Sequence, residues 1–428
     1  MSSDKQSSKR WEELELTPSP TEPLDITIIG SGMIVHDQIL PSLYHLQRIG
    51  QLGRIQIVTA SSTRLRDLRS KRFEQAFPGQ SFQPHPNPSA DPADRQSDRY
   101  RSIITQMPPQ QIVFIATPDP LHFDMARFAL EHEQHVICVK PLVQTISDAA
   151  TLQALAWQRG LFLGVEYHKR FDRRALEARQ YYREGRFGRF RVGYATMIEP
   201  YHYRHSNFQN WFIKSSSDPF TYVGCHYVDQ VYFITGLRPV EVAVRGVDGQ
   251  FANGNEAYLW SSAQVVFEDG GVLSVINGLG YPDDAAGTND QCLTLFCEGD
   301  ERGAIIRHND QFRGVSHGYT DCCAGSYFRF INPDYFRLVP WTGEGLRPVG
   351  YGYDSIEANV LAASDVARSG PATQRRKLLR QIDQRGLIAT ATNSSINEAV
   401  VEAGRLSITH DGKTVRISYD DPPTLELV

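Results

Sequence analysis

The chain has 428 residues, 41% hydrophobic and 22% charged, a balance that excludes a disordered protein and provides for two or three globular domains. A formal net charge of −5 argues against the basic stripe of a dedicated nucleic-acid or anionic-membrane binder. No apolar run approaches the ~20 residues needed to cross a bilayer. The six cysteines form no CxxC pair and no Cys/His spacing of a zinc site, so no disulfide scaffold and no metal are expected, and a reducing, cytoplasmic setting is.

Residues 1–23 are polar and lack the apolar stretch of a secretion signal, and read as a disordered lead or an arm that docks on a neighbour. Asp25–Ile29 is a dense apolar run ending at Gly30, the pattern of a buried parallel strand. A helical stretch follows, with Ile39, Leu43 and Leu46 on one face. Ile55–Ala60 is a second strand, and the Pro-, Asp- and Ser-rich region Phe77–Ser97 reads as a surface connection. Gln111–Thr117, His135–Val139 and Leu161–Val165 are further strands. Between them lie a helix starting near Leu121 and one capped by Ser147-Asp148 and closed by Gly160. This alternation over residues 24–166 predicts a doubly wound α/β domain with a parallel sheet.

The pattern changes after about residue 190. Arg191–Pro200, Val240–Val247, Tyr258–Phe267, Val272–Leu279, Gln291–Glu298 and Ala304–Arg307 alternate as antiparallel strands do, and Glu268-Asp-Gly-Gly271 is a hairpin turn signal. Asp354–Ala367 and Arg375–Ala389 return to helical spacing, and Thr414–Ser418 is a last strand. Residues 167–428 thus read as an α+β domain built on a large, open, mainly antiparallel sheet, with C-terminal helices packing partly back on the first domain. Residues 310–350, rich in Tyr, Phe and Gly, read as an insertion.

Four stretches point to chemistry. Gly30-Ser31-Gly32, followed by Met33 and Ile34, stands between a strand and a helix, where a backbone without Cβ lets a pyrophosphate reach a helix N-terminus. An ordinary βα turn needs no more than these residues, and Val35 stands where a third glycine would be. The second strand ends in Ser61, Ser62 and Arg64, not in the acidic residue that grips a ribose diol, which favours NADP over NAD unless Arg64 is only solvated. Thr117, Pro118 and Asp119 close one strand and Lys140-Pro141 the next, so all these groups gather at the carboxyl edge of the sheet, where ligands bind. Gly224-Cys-His-Tyr-Val-Asp229 puts His226 and Asp229 on one helical face, with His226 a candidate general base.

Taken in order, G-x-G, A-T-P-D-P-x-H, K-P and G-x-H-x-x-D resemble the Gfo/Idh/MocA oxidoreductase family, and the likeness spans most of residues 24–425. The resemblance implies a Rossmann domain, a second domain whose open sheet pairs subunits into a homodimer or homotetramer, and hydride transfer between NAD(P) and a hydroxyl-bearing carbon of a sugar or cyclitol. Position by position, it makes Lys140 and His226 catalytic. It brings Asp119 and His122 near the nicotinamide and takes His168, Lys169 and Arg170 into the substrate cleft. Two further departures stand out: Val139 replaces a glutamate before Lys-Pro, and Tyr222 stands where an aspartate is usual, as a donor to the substrate hydroxyl or a sign of altered chemistry. Tyr201, Tyr203, Phe208 and Trp211 could wall a sugar face or simply pack an interface. Two other functions fit the same residues: a redox-neutral sugar lyase or glycosidase with a cycling nicotinamide, and a non-catalytic cofactor-binding sensor.

Overall fold

The computed structural model describes residues 22–285, 289–299, 303–309, 334–420 and 423–428. The first lobe is a six-stranded sheet of β1 (Ile26–Ile29), β2 (Ile55–Val58), β3 (Phe82–His85), β4 (Ile112–Ile115), β5 (His135–Val139) and β6 (Leu163–Glu166). All are parallel, in the order β3-β2-β1-β4-β5-β6. β1 and β4 are buried along their whole length, as their uninterrupted apolar runs require. The order reverses between β1 and β4, which opens a crevice at their carboxyl ends.

Two local expectations are corrected. The region Phe77–Ser97 is more than a connection, because Phe82–His85 pairs with β2 as the edge strand, a place where Pro84 is tolerated. The helix Ile146–Arg159 is capped by Thr145, whose hydroxyl oxygen accepts from the Asp148 amide at 3.1 Å, rather than by Ser147 or Asp148.

The second lobe is built from β7 (Arg189–Pro200), β8 (Pro239–Gln250), β9 (Glu256–Phe267), β10 (Val272–Tyr281), β11 (Asp290–Glu298) and β12 (Gly303–Asn309). The pair β13 (Arg337–Pro340) and β14 (Leu346–Val349) forms a separate hairpin, and β15 (Val415–Ser418) and β16 (Thr424–Leu427) complete the large sheet. Its order is β12-β11-β7-β10-β9-β8-β15-β16; β7 and β10 run parallel and the other pairs antiparallel. The Glu268–Gly271 turn joins β9 to β10.

One face of this sheet is covered by the helices Arg173–Arg183, Cys225–Thr235 and Ile396–Thr409, which contribute Ala175, Val228, Val231, Val400 and Ala403 to its core. On strands β7, β10, β11 and β12 the register aligns Val272, Val192, Phe296 and Ile305 in one row. Val192, Phe296 and Ile305 are exposed, as are Tyr194 and Ile276 nearby.

The chain then returns to the first lobe. The helix Tyr351–Arg368 places Ile356, Val360, Ala363 and Val366 in the same core as Ile26, Ile28 and Ile57, and Thr390 bridges to Gly164. Of the segment read as an insertion, 310–333 lies outside the described residues, as do Cys322, Cys323 and most of the N-terminal arm. The β13–β14 hairpin packs on the helix Leu40–Arg48, with the Arg48 guanidinium 4.4 Å above the Trp341 ring. The four cysteines described, 138, 225, 292 and 297, are free thiols.

Candidate active site

The turn after β1 begins at Gly30, whose φ is +116° and whose hypothetical Cβ would lie 2.2 Å from the Ala116 carbonyl oxygen. Only glycine lets β1 turn this close to the end of β4. A Cβ on Gly32 would meet nothing within 4 Å, so the space before the helix is open. Val35, in the third position, is fully buried and opens a five-residue π-helical turn, Val35–Ile39, that runs into the helix Leu40–Arg48.

In front of this turn lies a cleft of about 300 Å³. Gly32, Met33, Ile34, Thr117, Pro118 and Asp119 line it from the first lobe, together with Lys140. His168, Tyr222 and His226 line it from the second. The structure therefore brings together these ten of the residues to which the sequence assigned a catalytic, cofactor or substrate role.

Lys140 leaves the end of β5 and donates a hydrogen bond from Nζ to the Tyr222 carbonyl oxygen, with the ammonium 4.1 Å from the centre of the Tyr222 ring. That contact joins the lobes one turn before His226. Asp119 is buried and accepts from the Ser217 hydroxyl at 3.0 Å, and burial raises its carboxyl above the ordinary range. His122 does not line the cleft. Its ring nitrogens lie 2.8 Å from the carbonyl oxygens of Thr117 and Pro141, so it staples the two strand-end loops that carry Asp119 and Lys140.

His226 sits in the first turn of the helix Cys225–Thr235. The helix approaches β10 closely: a Cβ on Gly224 would lie 2.6 Å from Asn277 Oδ1. The His226 ring meets the edge of Tyr167 at 5.9 Å and lies 4.9 Å from the His168 ring. Behind it, Asp229 accepts from the Arg170 guanidinium and from Asn397 Nδ2 at 2.7 Å. Arg170 and Asp229 are both almost wholly buried, so this pair supports the floor of the cleft rather than facing a ligand. Lys169 is also buried and donates to Gln291 Oε1 at 2.8 Å.

The other predicted cofactor residues sit at the end of β2. Ser62 is buried and donates to the Ala90 carbonyl at 2.7 Å, while Ser61 donates to the Pro92 carbonyl at 2.9 Å. Arg64 donates to the Ser206 carbonyl at 2.9 Å, which ties β2 to the aromatic loop of the second lobe. Of that loop, Tyr203 and Trp211 line the cleft, whereas Phe208 is buried in a separate aromatic cluster.

Several lining residues escaped the sequence reading. Glu166 ends β6, holds His168 Nδ1 at 3.0 Å and accepts from Gln38 at 3.2 Å. Tyr335 donates to Gln38 Oε1 and, with Tyr351, faces His168. Asp37 and Glu199 also line the cleft. Burial pushes the Glu199 carboxyl and the Tyr222 phenol above their ordinary values. Glu166 alone had a legible signal, two residues before a histidine at a strand end; the others depend on long-range placement.

This donor set fits a dinucleotide: an open glycine turn at a sheet crevice, buried polar loop ends and one ammonium. Residues 24–167 match the oxidoreductase family with an NAD-binding Rossmann fold known as GFO_IDH_MocA, and residues 175–299 match the GFO/IDH/MocA C-terminal domain. The chain belongs to the Gfo/Idh/MocA family. It is 25% identical over 241 residues to 1-carboxy-3-chloro-3,4-dihydroxycyclo hexa-1,5-diene dehydrogenase of Comamonas testosteroni, covering 53% of this chain and 56% of that protein. It is 26% identical over 139 residues to scyllo-inositol 2-dehydrogenase (NADP(+)) of Bacillus subtilis, covering 31% of this chain and 37% of that one. The chain thus spans about half or less of the length of these relatives. Apo scyllo-inositol dehydrogenase from Lactobacillus casei shares the fold, with a TM-score of 0.57 at 15% identity over 92% of this chain and 98% of that one. No helix among the described residues is long and apolar enough to cross a membrane.

Proposed function

We propose that the protein is an NAD(P)-dependent dehydrogenase acting on a secondary hydroxyl of a sugar, cyclitol or sugar derivative. What supports this reading is the convergence of Lys140 from one lobe with Tyr222 and His226 from the other, opposite the open glycine turn. When bound, the dinucleotide accepts or supplies the hydride. Gly30, Gly32, Met33, Ile34, Thr117, Pro118 and Asp119 would hold it, His122 would fix the two loop ends, and Ser61 and Arg64 would face the 2′ position, in favour of NADP.

The protein's own groups manage the proton. The His226 imidazole takes the proton of the substrate hydroxyl, and the Lys140 ammonium donates to that oxygen as negative charge builds on it. Tyr222 stays a neutral phenol at any physiological pH, because burial holds its proton on, and so serves only as a hydrogen-bond donor or acceptor. His168, held by Glu166, orients a second hydroxyl. Lys169 and Arg170 act from behind the wall.

In this reading residues 24–166 bind the dinucleotide and 167–428 bind the substrate and pair subunits. The exposed row on β7, β11 and β12 supports a homo-oligomer, since an apolar face of this kind calls for cover. A light-scattering mass of one 48.3 kDa chain at micromolar concentration overturns that part. The test of the activity is absorbance at ~340 nm with NADP⁺ or NAD⁺ and a polyol and sugar panel. A steady rise is expected; cleavage of a glycoside without net change indicates the redox-neutral reading, and dinucleotide binding without turnover a sensor.

A further inference from the structure

The charges lining the cleft are unbalanced. Glu199 lines it from the second lobe, and Glu166, at the end of β6, and Asp37 line it from the first. Burial first, then the charges of Glu166, Asp37 and Glu199, hold the Tyr335 phenol well above its ordinary value, and burial with Glu199 and Asp37 does the same for Tyr203. Lys140 is the one Lys or Arg among the described residues lining this cleft.

Glu199 stands apart within this group. It lies one residue from the end of β7, is only 8% exposed, and has no hydrogen-bond partner among the described residues. Three basic side chains lie near enough to favour its charge, Lys140, Lys169 and His202. Each is committed elsewhere: Lys140 donates to the Tyr222 carbonyl, Lys169 to Gln291 Oε1, and His202 Nδ1 lies 2.6 Å from Asp283. A nearly buried carboxylate left this way retains its full capacity to accept hydrogen bonds into the cleft.

Aromatic faces complete the surroundings. Tyr203, Trp211, Tyr222, Tyr335 and Tyr351 line the same cleft. A carboxylate set among electron-rich rings is the chemistry that recognises an ammonium group, through charge-assisted hydrogen bonds and cation–π contact. It repels a uronate or a sugar phosphate.

We propose that Glu199 is the specificity-determining residue of a cation subsite and that the substrate is an amino-bearing sugar or aminocyclitol. This rests on the dehydrogenase reading above and names the substrate class of the same cleft. The substrate's ammonium donates to the Glu199 carboxylate and lies against the tyrosine rings, while the hydroxyl to be oxidised faces Lys140 and His226.

The test is calorimetric binding to the full-length protein, saturated with NADPH, of matched sets: glucose, glucosamine and glucuronate, and myo-inositol with an amino-deoxy inositol. The amine is expected to bind about tenfold or more tighter than its hydroxyl counterpart, with the carboxylate weakest. Glu199→Gln, of nearly the same shape, should erase the amine preference and Glu199→Asp should retain part of it. The proposal fails if no amine outbinds its hydroxyl counterpart, or if the preference survives in Glu199→Gln. It also fails if that variant instead alters the ratio of NADP⁺ to NADPH affinity, since the carboxylate would then serve the nicotinamide. Binding of NADPH alone, followed by its fluorescence, separates failure of the subsite from failure of the dehydrogenase reading.

Discussion

Acidic side chains behind His226 and in front of it meet opposite fates. Behind, Asp229 is saturated by Arg170 and Asn397, and Asp172 accepts from Arg174 and lies 3.0 Å from His308 Nε2. In front, Glu199 is nearly as buried but has no such partner among the described residues. Both regions withdraw carboxylates from water, which is costly without compensation. Asp229 is compensated within the protein by Arg170 and Asn397. The wall leaves its hydrogen-bonding capacity for something that arrives, and this contrast separates support from recognition where composition alone does not.

The largest expected effect comes from breaking the floor. Arg170→Ala leaves Asp229 buried without its charge partner and should cost ~3–5 kcal/mol of stability, read as a fall in the urea midpoint. A loss under ~1 kcal/mol would show that the pair is not what holds the floor. Next is the reacting edge. Lys140→Ala and His226→Ala should each lower turnover ~10²-fold or more while NADPH affinity changes little. Full activity in either variant removes that residue from the proton path.

Glu398, buried in the helix Ile396–Thr409 and within the field of Asp229 and Arg170, sharpens the comparison, because burial pushes its carboxyl up to about 8. This value lies above the ordinary 4.5, so the folded protein holds the extra proton between about pH 4.5 and 8. Stability should fall as pH rises through that window and level off above it. Glu398→Gln should flatten this slope and raise Tm by a few degrees at alkaline pH, with little effect near pH 4. An unchanged slope would assign the pH dependence to other groups. The smallest effect is expected at the end of β2, where Arg64→Ala should reduce the NADP-to-NAD preference ~3- to 10-fold, measured as a ratio of kcat/KM values.

Much of the first lobe was legible because β1, β4 and β5 are buried apolar runs with glycine or proline at their ends. β3 was not, since Phe-Gln-Pro-His carries little apolar signal and only Phe82 anchors it in the core beside its pairing with β2. The parallel pairing of β7 with β10 was hidden as well, because alternation reveals faces and not direction. In the cleft, Lys140 and His226 could be read from short motifs. Arg170 could be named but not placed, as its partner Asp229 lies 59 positions away. Tyr335, Tyr351 and Glu199 had no local signal; they reach the cleft through a returning helix, a hairpin and a strand register.

The returning helix also sets the order in which the chain can mature. Ile356, Val360, Ala363 and Val366 fill the core beneath β1 and β2, yet they are made some three hundred residues after those strands. Residues made early, among them Leu40, Leu43 and Phe73, cover part of that face of the sheet, and the rest of it stays bare until the returning helix has been translated. Chaperone capture during synthesis, rather than after release, is the demand this topology places on a cell.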